Sequence, residues 1–436
     1  MEKGKRILLI GGNFSPEPTG IGKYNGEMIN WLAANGYDCT VITTYPYYPH
    51  WKIQSDYKKY SSWYTKESIQ VAGRKTVTVL RCPHYVPNNP TGLRRIVSDA
   101  TFFLSAFFRL MPLLFSRKYD LVMNVAPAFH IGLLGLLYKK VKGAAFLYHI
   151  QDLQIEASQQ LQMINSKTVL KLLYRTERII LNGADLVSTI SEGMLKKVQR
   201  KTKRPVCLFP NWVDTKQFYP IAEKALLKKE YGFAPTDKVV LYSGAIGEKQ
   251  GLEAILHAAN ALQQHSDLKF VICGSGPYKQ KLADLTAELK LANITFLPLQ
   301  PFESLNRFLN MADVHLVLQK ADAADLVMPS KLTTILAIGG MVIATAKEGT
   351  SLFEVVTGHD MGLVIEPGDQ ALLNAAILQT LCEGNEVQKE NARKYAQNFI
   401  AIDGIFSHFL SEVDKTVLKQ KLLPAAIRQP VEETVV

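Results

Sequence analysis

Two patterns alternate along the chain. Short apolar runs give way to longer stretches whose apolar positions recur three and four apart, the change of period that a strand-helix-strand unit requires. RILLIGG, near the start, is an apolar run closed by paired glycines; YNGEMINWLAANGY has helical spacing, and CTVITTY returns to an apolar run. Further strands are expected at 76–82 (TVTVLRC), 120–126 (DLVMNVA), 144–150 (AAFLYHI) and 185–191 (DLVSTIS), with helical segments between most of them. Tyr45 to Tyr64, rich in Tyr, Pro, Trp, Lys and Ser, has no steady period and reads as a long loop of the kind usually kept for function.

A second series opens at 239–244 (VVLYSG) and continues with strands at 269–274, 294–299, 314–319, 341–346 and 362–367. Helical segments are expected at 252–265, in YKQKLADLTAEL, in LNRFLNMA and near 331–338. Between the series lies FPNWVDTKQFYPIAEKALLKKEYGFAPTDK, with prolines at 210, 220 and 235. The fold class expected is therefore α/β, with two doubly wound, Rossmann-like domains facing a cleft: residues 1–209, a linker at 210–235, and residues 236–390. Residues 391–436 are read as helices that cross back to the first domain, ending in a frayed tail. In such sheets a ligand lies outside the carboxyl ends of the strands.

Composition sharpens this picture. With 436 residues and 47% apolar content the chain can fill two cores, and a net charge of +11 favours anionic partners. Without a recognition motif or an aromatic platform, charge alone gives no case for nucleic acid. The five cysteines are scattered, which suits neither zinc nor a disulfide framework and reads as buried thiols in a reducing compartment. No metal site is expected; Asp322 and Asp325 in DAADL are the nearest thing to one, and no Asp-x-Asp pair is present. MEKGKRILLIGGNF is too short in its apolar part for a signal peptide. TFFLSAFFRLMPLLF, 101–115, is interrupted by Arg109 and Pro112 and falls short of a membrane span. It is either a buried helix or one lying on a membrane, and the basic residues around it, Lys52, Lys58, Lys59, Lys66, Arg74, Lys75, Arg81, Arg94, Arg95, Arg117 and Lys118, suit an anionic surface.

Several segments carry chemistry. In PEPTGIGKYNGEM, Gly20 and Gly22 permit a sharp turn or close approach of backbone to a ligand, and Lys23 adds charge at a helix start, although neither the P-loop nor the dinucleotide fingerprint is matched. HIQDL sets His149 and Asp152 at a strand end, either as cleft residues or as a satisfied pair with Asp152 capping the next helix. In YSGAIGEKQGLE, Ser243, Gly244, Gly247 and Lys249 can offer backbone N–H groups and one ammonium to a diphosphate. MPSKL places Ser330 and Lys331 at a helix start, as an anion site or as a cap followed by a solvent-exposed lysine.

Taken in order, 11–49, 149–157, 185–194, 208–214, 242–253, 328–332 and 362–369 resemble the retaining family 4 glycosyltransferases, above all the branch of colanic acid, O-antigen and exopolysaccharide biosynthesis. The resemblance implies the two-domain GT-B architecture and a nucleotide diphosphate sugar, UDP- or GDP-linked, as co-substrate without a further cofactor. It also implies a polyprenyl-diphosphate-linked saccharide acceptor, and a peripheral position at the cytoplasmic face of the plasma membrane. His149 then meets the donor sugar and Asp152 the acceptor. Gly274, in CGSGPYK, lines the nucleotide pocket, and Phe302 and Glu303 approach the base. Thr350, in the polar turn after the strand at 341–346, reads as a contact to the donor sugar or diphosphate, and Glu354 either as a ribose contact or as a residue of the helix surface. Asn211 and Trp212 read as hinge packing.

The chain departs from the family at definite places. Where many relatives carry Arg and Lys in the second-domain loop it has Ala245 and Gln250, and Leu326 and Thr334 stand where two glutamates are usual. Ser330 and Lys331 are accordingly expected to take over donor phosphate or ribose contacts. Two other readings share the architecture: a two-domain nucleotide-sugar epimerase, and an inactive scaffold of an assembly complex.

Overall fold

Strand order explains where the cleft lies. The computed structural model describes residues 4–71, 75–90, 92–160, 166–320 and 328–422. Arg74, Asp322, Asp325, Leu326 and the tail at 423–436, all part of the sequence reading, lie outside the described residues.

The first sheet contains β1 (Arg6–Ile10), β2 (Asp38–Thr44), β3 (Thr65–Val71), β4 (Lys75–Cys82), β5 (Leu121–Ala126), β6 (Ala145–Ile150), β7 (Leu186–Thr189) and β8 (Val206–Leu208). Its order is β3-β4-β2-β1-β5-β6-β7-β8, parallel throughout except for the antiparallel β3–β4 pair. The second sheet contains β9 (Lys238–Ala245), β10 (Leu268–Ser275), β11 (Ile294–Leu297), β12 (Val314–Val317), β13 (Val342–Thr345) and β14 (Gly362–Ile365), in the order β11-β10-β9-β12-β13-β14. Ile7 to Ile10 and Val239 to Tyr242 are completely buried. Helices cover both faces of each sheet, so the central strands are continuous apolar runs.

Each sheet changes winding direction beside its founding strand, between β1 and β5 and between β9 and β12. Loops leaving the carboxyl ends of such neighbours diverge, and a crevice opens there. The loop after β9, YSGAIGEKQG, lies at that crevice.

Two strands escaped the sequence reading. β3 follows the long loop as an edge strand, TKESIQV, with strict alternation of half-buried and exposed positions. β8 is only three residues long. The apolar stretch at 101–115 also needs correction: it belongs to a 23-residue helix, Gly92–Leu114, long and apolar enough by length and composition to cross a membrane. Ser98, Phe102, Ser105, Ala106 and Leu110 recur at helical spacing and are buried, with Phe102, Ala106 and Leu110 in the core of the first domain. One face therefore packs on the domain, while Leu93, Ile96, Val97, Leu104 and Phe108 are exposed.

The chain passes between the domains twice, side by side. Val213 N–H donates to Ile400 O (2.9 Å) and Ile402 N–H to Val213 O (3.0 Å). Residues 210–235 are well packed: Phe218, Leu227 and Phe233 join the second core, and Lys224–Glu230 is helical. The last helix, Ile402–Leu422, returns to the first domain, where Phe406, Phe409 and Val413 pack with Phe209 and Trp212. Trp31 stacks on Phe406 at 4.7 Å, and its indole N–H donates to Asp403 (2.8 Å).

Candidate functional site

On the second domain, β9 and β10 each carry a glycine next to their last residue, Gly244 and Gly274, because their loops lie directly on each other. Gly244 has φ +150° and Gly274 φ +155°. A Cβ on Gly274 would overlap the Gly244 carbonyl, and one on Gly276 the Ile246 carbonyl. Ile246 N–H donates to Ser275 O (2.9 Å), which fixes the pair of loops.

Lys331, the first residue of the helix Lys331–Ala337, runs into this loop. Its Nζ stands 3.3 Å from the centroid of the Tyr242 ring and is buried, with no hydrogen-bond partner among the described residues. A Cβ on Gly244 would come within 3.0 Å of it, so only glycine leaves the amine this position. Burial holds the Lys331 pKa well below 10.5. A solvent-exposed lysine after a helix cap is thus not what the structure contains. Ser330 is exposed and makes no side-chain cap. Its carbonyl accepts a 3.4 Å hydrogen bond from Tyr24 Oη of the first domain.

The rest of this wall is more open. Ser243, Gly244 and Gly247 are half-buried and Lys249 is exposed, while Gln250 Oε1 is buried without a partner. Phe302 and Glu303 stand exposed at the start of the helix Phe302–Asn310, with the Phe302 ring edge-on to Phe218. Thr350 Oγ1 donates to Lys347 O (2.7 Å), and Glu354 is exposed on the helix Ser351–Gly358. Ser351 reaches the first domain, its Oγ accepting the Gly193 N–H at 2.9 Å.

On the first domain, His149 lies in β6 beside Ser188 of β7, with Nδ1 2.9 Å from the Ser188 hydroxyl. Its Nε2 is buried without a partner. Burial lowers its pKa to about 3, so the ring is a neutral donor and acceptor at ordinary pH. Asp152 follows the strand end and makes no hydrogen bond among the described residues; the helix after it starts at Gln154. Burial pushes its pKa up to about 6, opposed by the Lys249 ammonium reaching across from the second domain.

Gly20 takes the left-handed turn its position needs, at φ +60°. Gly22 is small for a different reason: a Cβ there would meet Glu17 Oε2 at 2.5 Å. Lys23 turns back on its own helix, 3.4 Å from Glu27 and over the Tyr24 ring. Trp212 donates its indole N–H to the same Glu27 at 2.9 Å, and Asn211 Oδ1 is buried without a partner.

Sequence reasoning passed over Glu17 and His84. Glu17 is 3% exposed, accepts the N–H groups of Tyr47 and Tyr48 at 3.0 Å each, and is pushed to a pKa of about 7 by burial. The only sequence hint was a carboxylate between two prolines at a strand-end loop. His84 follows β4, and neither ring nitrogen has a hydrogen-bond partner among the described residues.

The structure thus gathers Ser243, Gly244, Gly274 and Lys331 at one winding switch, and sets His149 and Asp152 on the facing wall. It leaves Phe302, Glu303 and Glu354 on exposed helix starts. The described residues contain no group of three His, Cys, Asp or Glu suited to a metal ion.

Residues 19–212 match the family model described as glycosyl transferase 4-like domain, and residues 223–399 the one described as glycosyl transferases group 1. The chain is 38% identical over 420 residues to the putative colanic acid biosynthesis glycosyl transferase WcaI of Escherichia coli K12, covering 94% of this chain and 99% of that protein. Among solved structures, sucrose-phosphate synthase of Thermosynechococcus elongatus superposes with a TM-score of 0.74 at 18% identity, over 95% of this chain and 100% of that one. Anabaena Alr3699/HepE, in complex with UDP and glucose, gives 0.66 at 14% identity, over 94% and 100%. At these identities the two structures speak to the fold alone, and both share the two-domain α/β architecture.

Proposed function

The chain belongs to the family 4 glycosyltransferases, enzymes that use nucleotide sugars, and from that premise we propose that its cleft moves a sugar from a nucleotide diphosphate sugar to a lipid-linked saccharide in exopolysaccharide assembly, with retention at the anomeric carbon. One observation supports placing the donor: the buried Lys331 amine, over Tyr242 and against Gly244, has no hydrogen-bond partner among the described residues. A lone amine withdrawn from water needs an anion to complete it, and the loop of Ser243, Gly244 and Gly247 offers backbone N–H groups beside it. The leaving diphosphate is stabilised there as its charge develops. On the facing wall His149 Nε2 is free to hydrogen-bond the donor sugar. Asp152, poised near neutrality, accepts a hydrogen bond from the acceptor hydroxyl and takes up its proton. Lys249, exposed and near Asp152, draws the diphosphate in and keeps the carboxylate ionised.

The surface of the first domain supports peripheral attachment to the cytoplasmic face of a membrane. Leu93, Ile96, Val97, Leu104, Phe108 and Phe115 are exposed along one helix and its end, with Trp63 73% exposed on the loop that packs beside it. Lys58, Lys59, Lys66, Arg94, Arg117 and Lys118 are exposed around them. An apolar helical face bordered by cations fits anionic lipid. The double variant Leu104→Glu, Phe108→Glu should leave the protein folded and abolish co-sedimentation with anionic phosphatidylglycerol vesicles; unchanged sedimentation would rule this surface out.

A thermal-shift screen with UDP-, GDP-, ADP- and dTDP-sugars, followed by product analysis with a labelled donor, tests the main reading. A new glycolipid means transfer, a changed free nucleotide sugar means epimerisation, and binding without any product supports a scaffold.

A further inference from the structure

The first sheet changes character toward the amino ends of its strands, on the side away from the cleft. On the face covered by the helix Gly92–Leu114, Ile10, Ile42 and Leu80 share one core with Phe102, Ala106 and Leu110. Two residues back along β2 and β4, on the same face, Thr40 and Thr78 stand side by side in register, with Ser68 of β3 opposite Thr78. One further step back on that face Arg6 stands beside Asp38. Where the helix ends, this polar floor is uncovered and an open pocket of about 350 Å³ remains. Arg109, Pro112 and Leu113 bound it on the helix side, and Arg6, Thr40, Thr78 and Lys66 on the sheet side.

Three cations, Arg6, Lys66 and Arg109, and one carboxylate, Asp38, line this corner. Arg6 is occupied: its Nε donates to Asp38 at 2.8 Å, and its guanidinium lies 4.2 Å from the centroid of the Tyr119 ring. The other two cations are unmatched. Lys66 is exposed, and neither it nor Arg109 has a carboxylate partner among the described residues. Glu67, next in the strand, belongs to the opposite face and pairs with Arg81. Arg109 donates from Nη2 to Thr65 O at 3.2 Å, while its Nε is buried with no acceptor among the described residues. Thr40 accepts the Tyr119 hydroxyl at 2.9 Å, so its own proton is available, and Thr78 makes no side-chain hydrogen bond among the described residues. Two unmatched cations and two hydroxyl donors around one small volume suit a phosphate ester, whose oxygens accept from several directions at once.

The mouth of the pocket selects what carries the phosphate. Phe108 and Phe115, both exposed, stand on either side of Arg109 and Pro112 along the helix and its end. Arg117 and Lys118 follow them, exposed; the acid at this rim, Asp120, accepts the Arg6 backbone N–H at 2.8 Å. A soluble phosphate has no use for apolar flanks, whereas an amphiphile does.

We propose that this corner is a headgroup pocket for a lipid phosphate, with Arg109, Lys66, Thr40 and Thr78 on the phosphate oxygens and the acyl chains against Phe108 and Phe115. The proposal rests on the reading of peripheral attachment and narrows it, from a charged field to one defined site at the opposite strand ends from the cleft.

Thr78→Val separates a site from a field, because it removes a hydroxyl, leaves every charge in place and suits a strand. The full chain is titrated with phosphatidylcholine vesicles carrying either phosphatidic acid or cholesteryl hemisuccinate, a carboxylate, at matched zeta potential. The wild type should bind the phosphatidic acid vesicles about tenfold more tightly, as one hydrogen bond to a charged group gives. Thr78→Val should lose most of that preference, with binding to the hemisuccinate vesicles, melting temperature and nucleotide Kd unchanged. Equal binding of the wild type to both vesicles, or an unchanged preference in Thr78→Val, would overturn the proposal. A lower melting temperature would assign the hydroxyl to the fold and overturn it as well. Soluble glycerol 3-phosphate distinguishes the source of the phosphate: it should compete only weakly, and binding as tight as that of the lipid would give the pocket to a soluble ester instead. Binding to neither vesicle would bring down the peripheral attachment itself.

Discussion

Lys331→Met isolates the amine on which the proposed donor site depends. In the empty cleft two effects oppose each other at Nζ. Withdrawing a charged ammonium from water costs several kcal/mol, whereas the Tyr242 ring, 3.3 Å away, returns about 2 kcal/mol to a desolvated cation. Among the described residues no carboxylate or carbonyl supplies the difference, so the charged form is disfavoured and the pKa falls. A diphosphate oxygen at ~4 Å contributes about 4 kcal/mol per charge at an effective dielectric of ~20, which is enough to restore the proton. Methionine keeps the length of the stem without the amine. The empty variant should be as stable as the wild type or more so, since a buried orphaned polar group costs about 1–3 kcal/mol. Its affinity for UDP or GDP should fall by about 3 kcal/mol, on the order of 100-fold. The linkage has a definite sign. Between the lowered folded pKa and 10.5 the unfolded chain binds the extra proton, so stability of the empty wild type rises with pH across that window, and the variant lacks this rise. Calorimetry in two buffers of different ionisation enthalpy should show proton uptake on nucleotide binding by the wild type and none by Lys331→Met. A destabilised variant that still binds nucleotide within threefold of the wild type would refute the reasoning.

Other substitutions separate the remaining roles. Lys249→Ala should change donor affinity less than threefold while moving the acid limb of kcat/KM upward from about pH 6, because Asp152 loses the charge that holds its pKa down; a limb that stays in place would detach Lys249 from Asp152. Asp152→Asn should lower kcat by ~10²–10⁴ with nucleotide affinity unchanged. It should also remove a fall in stability between pH 3.8 and about 6, where the folded chain holds the proton that the unfolded chain has lost; flat wild-type stability across that interval would contradict the burial. Gly274→Ala drives a methyl into the Gly244 carbonyl at φ +155°, and urea titration should show a loss of about 3 kcal/mol or more.

The fold was legible because fully buried parallel strands are dense in apolar residues. VVLYSG and RILLIGG cannot be mistaken for helix once glycine closes them. β3 was missed because an edge strand buries only every second residue, and TKESIQV has too few apolar positions to stand out against a neighbouring loop. The helix at 92–114 was cut short because its first turns, GLRRIVSDA, spend their apolar residues on the exposed face. At the site, sequence pointed to Lys331 through its neighbours Pro329 and Ser330. It could not show that Gly244 makes room for the amine, which depends on a loop more than eighty residues away in the chain. His84 and Glu17 were invisible for the same reason: an isolated histidine or glutamate announces nothing until strand ends from separate units converge on it.

The two departures in the loop after β9 then take on a common sense. Ala245 and Gln250 put no positive charge where the family resemblance led one to be expected, and the two lysines near the loop stand in opposite environments. Lys249 is exposed, so its field reaches outward, attracts anions indiscriminately and is screened by salt. Lys331 is dry, so it gains a proton only against a ligand with enough charge to offset desolvation. A neutral sugar supplies none of that and a monoanion a single charge's worth, whereas a diphosphate in contact with the loop supplies more. On the proposed donor site, selectivity for the nucleotide diphosphate would arise from the cost of charging Lys331, and an exposed lysine or arginine in the same loop would bind more anions with less discrimination. Ala245→Arg provides the converse case: it should tighten binding of inorganic phosphate and nucleoside monophosphates more than that of the diphosphate. Equal tightening of all three, measured by calorimetry at one ionic strength, would show that the buried amine contributes affinity without selectivity.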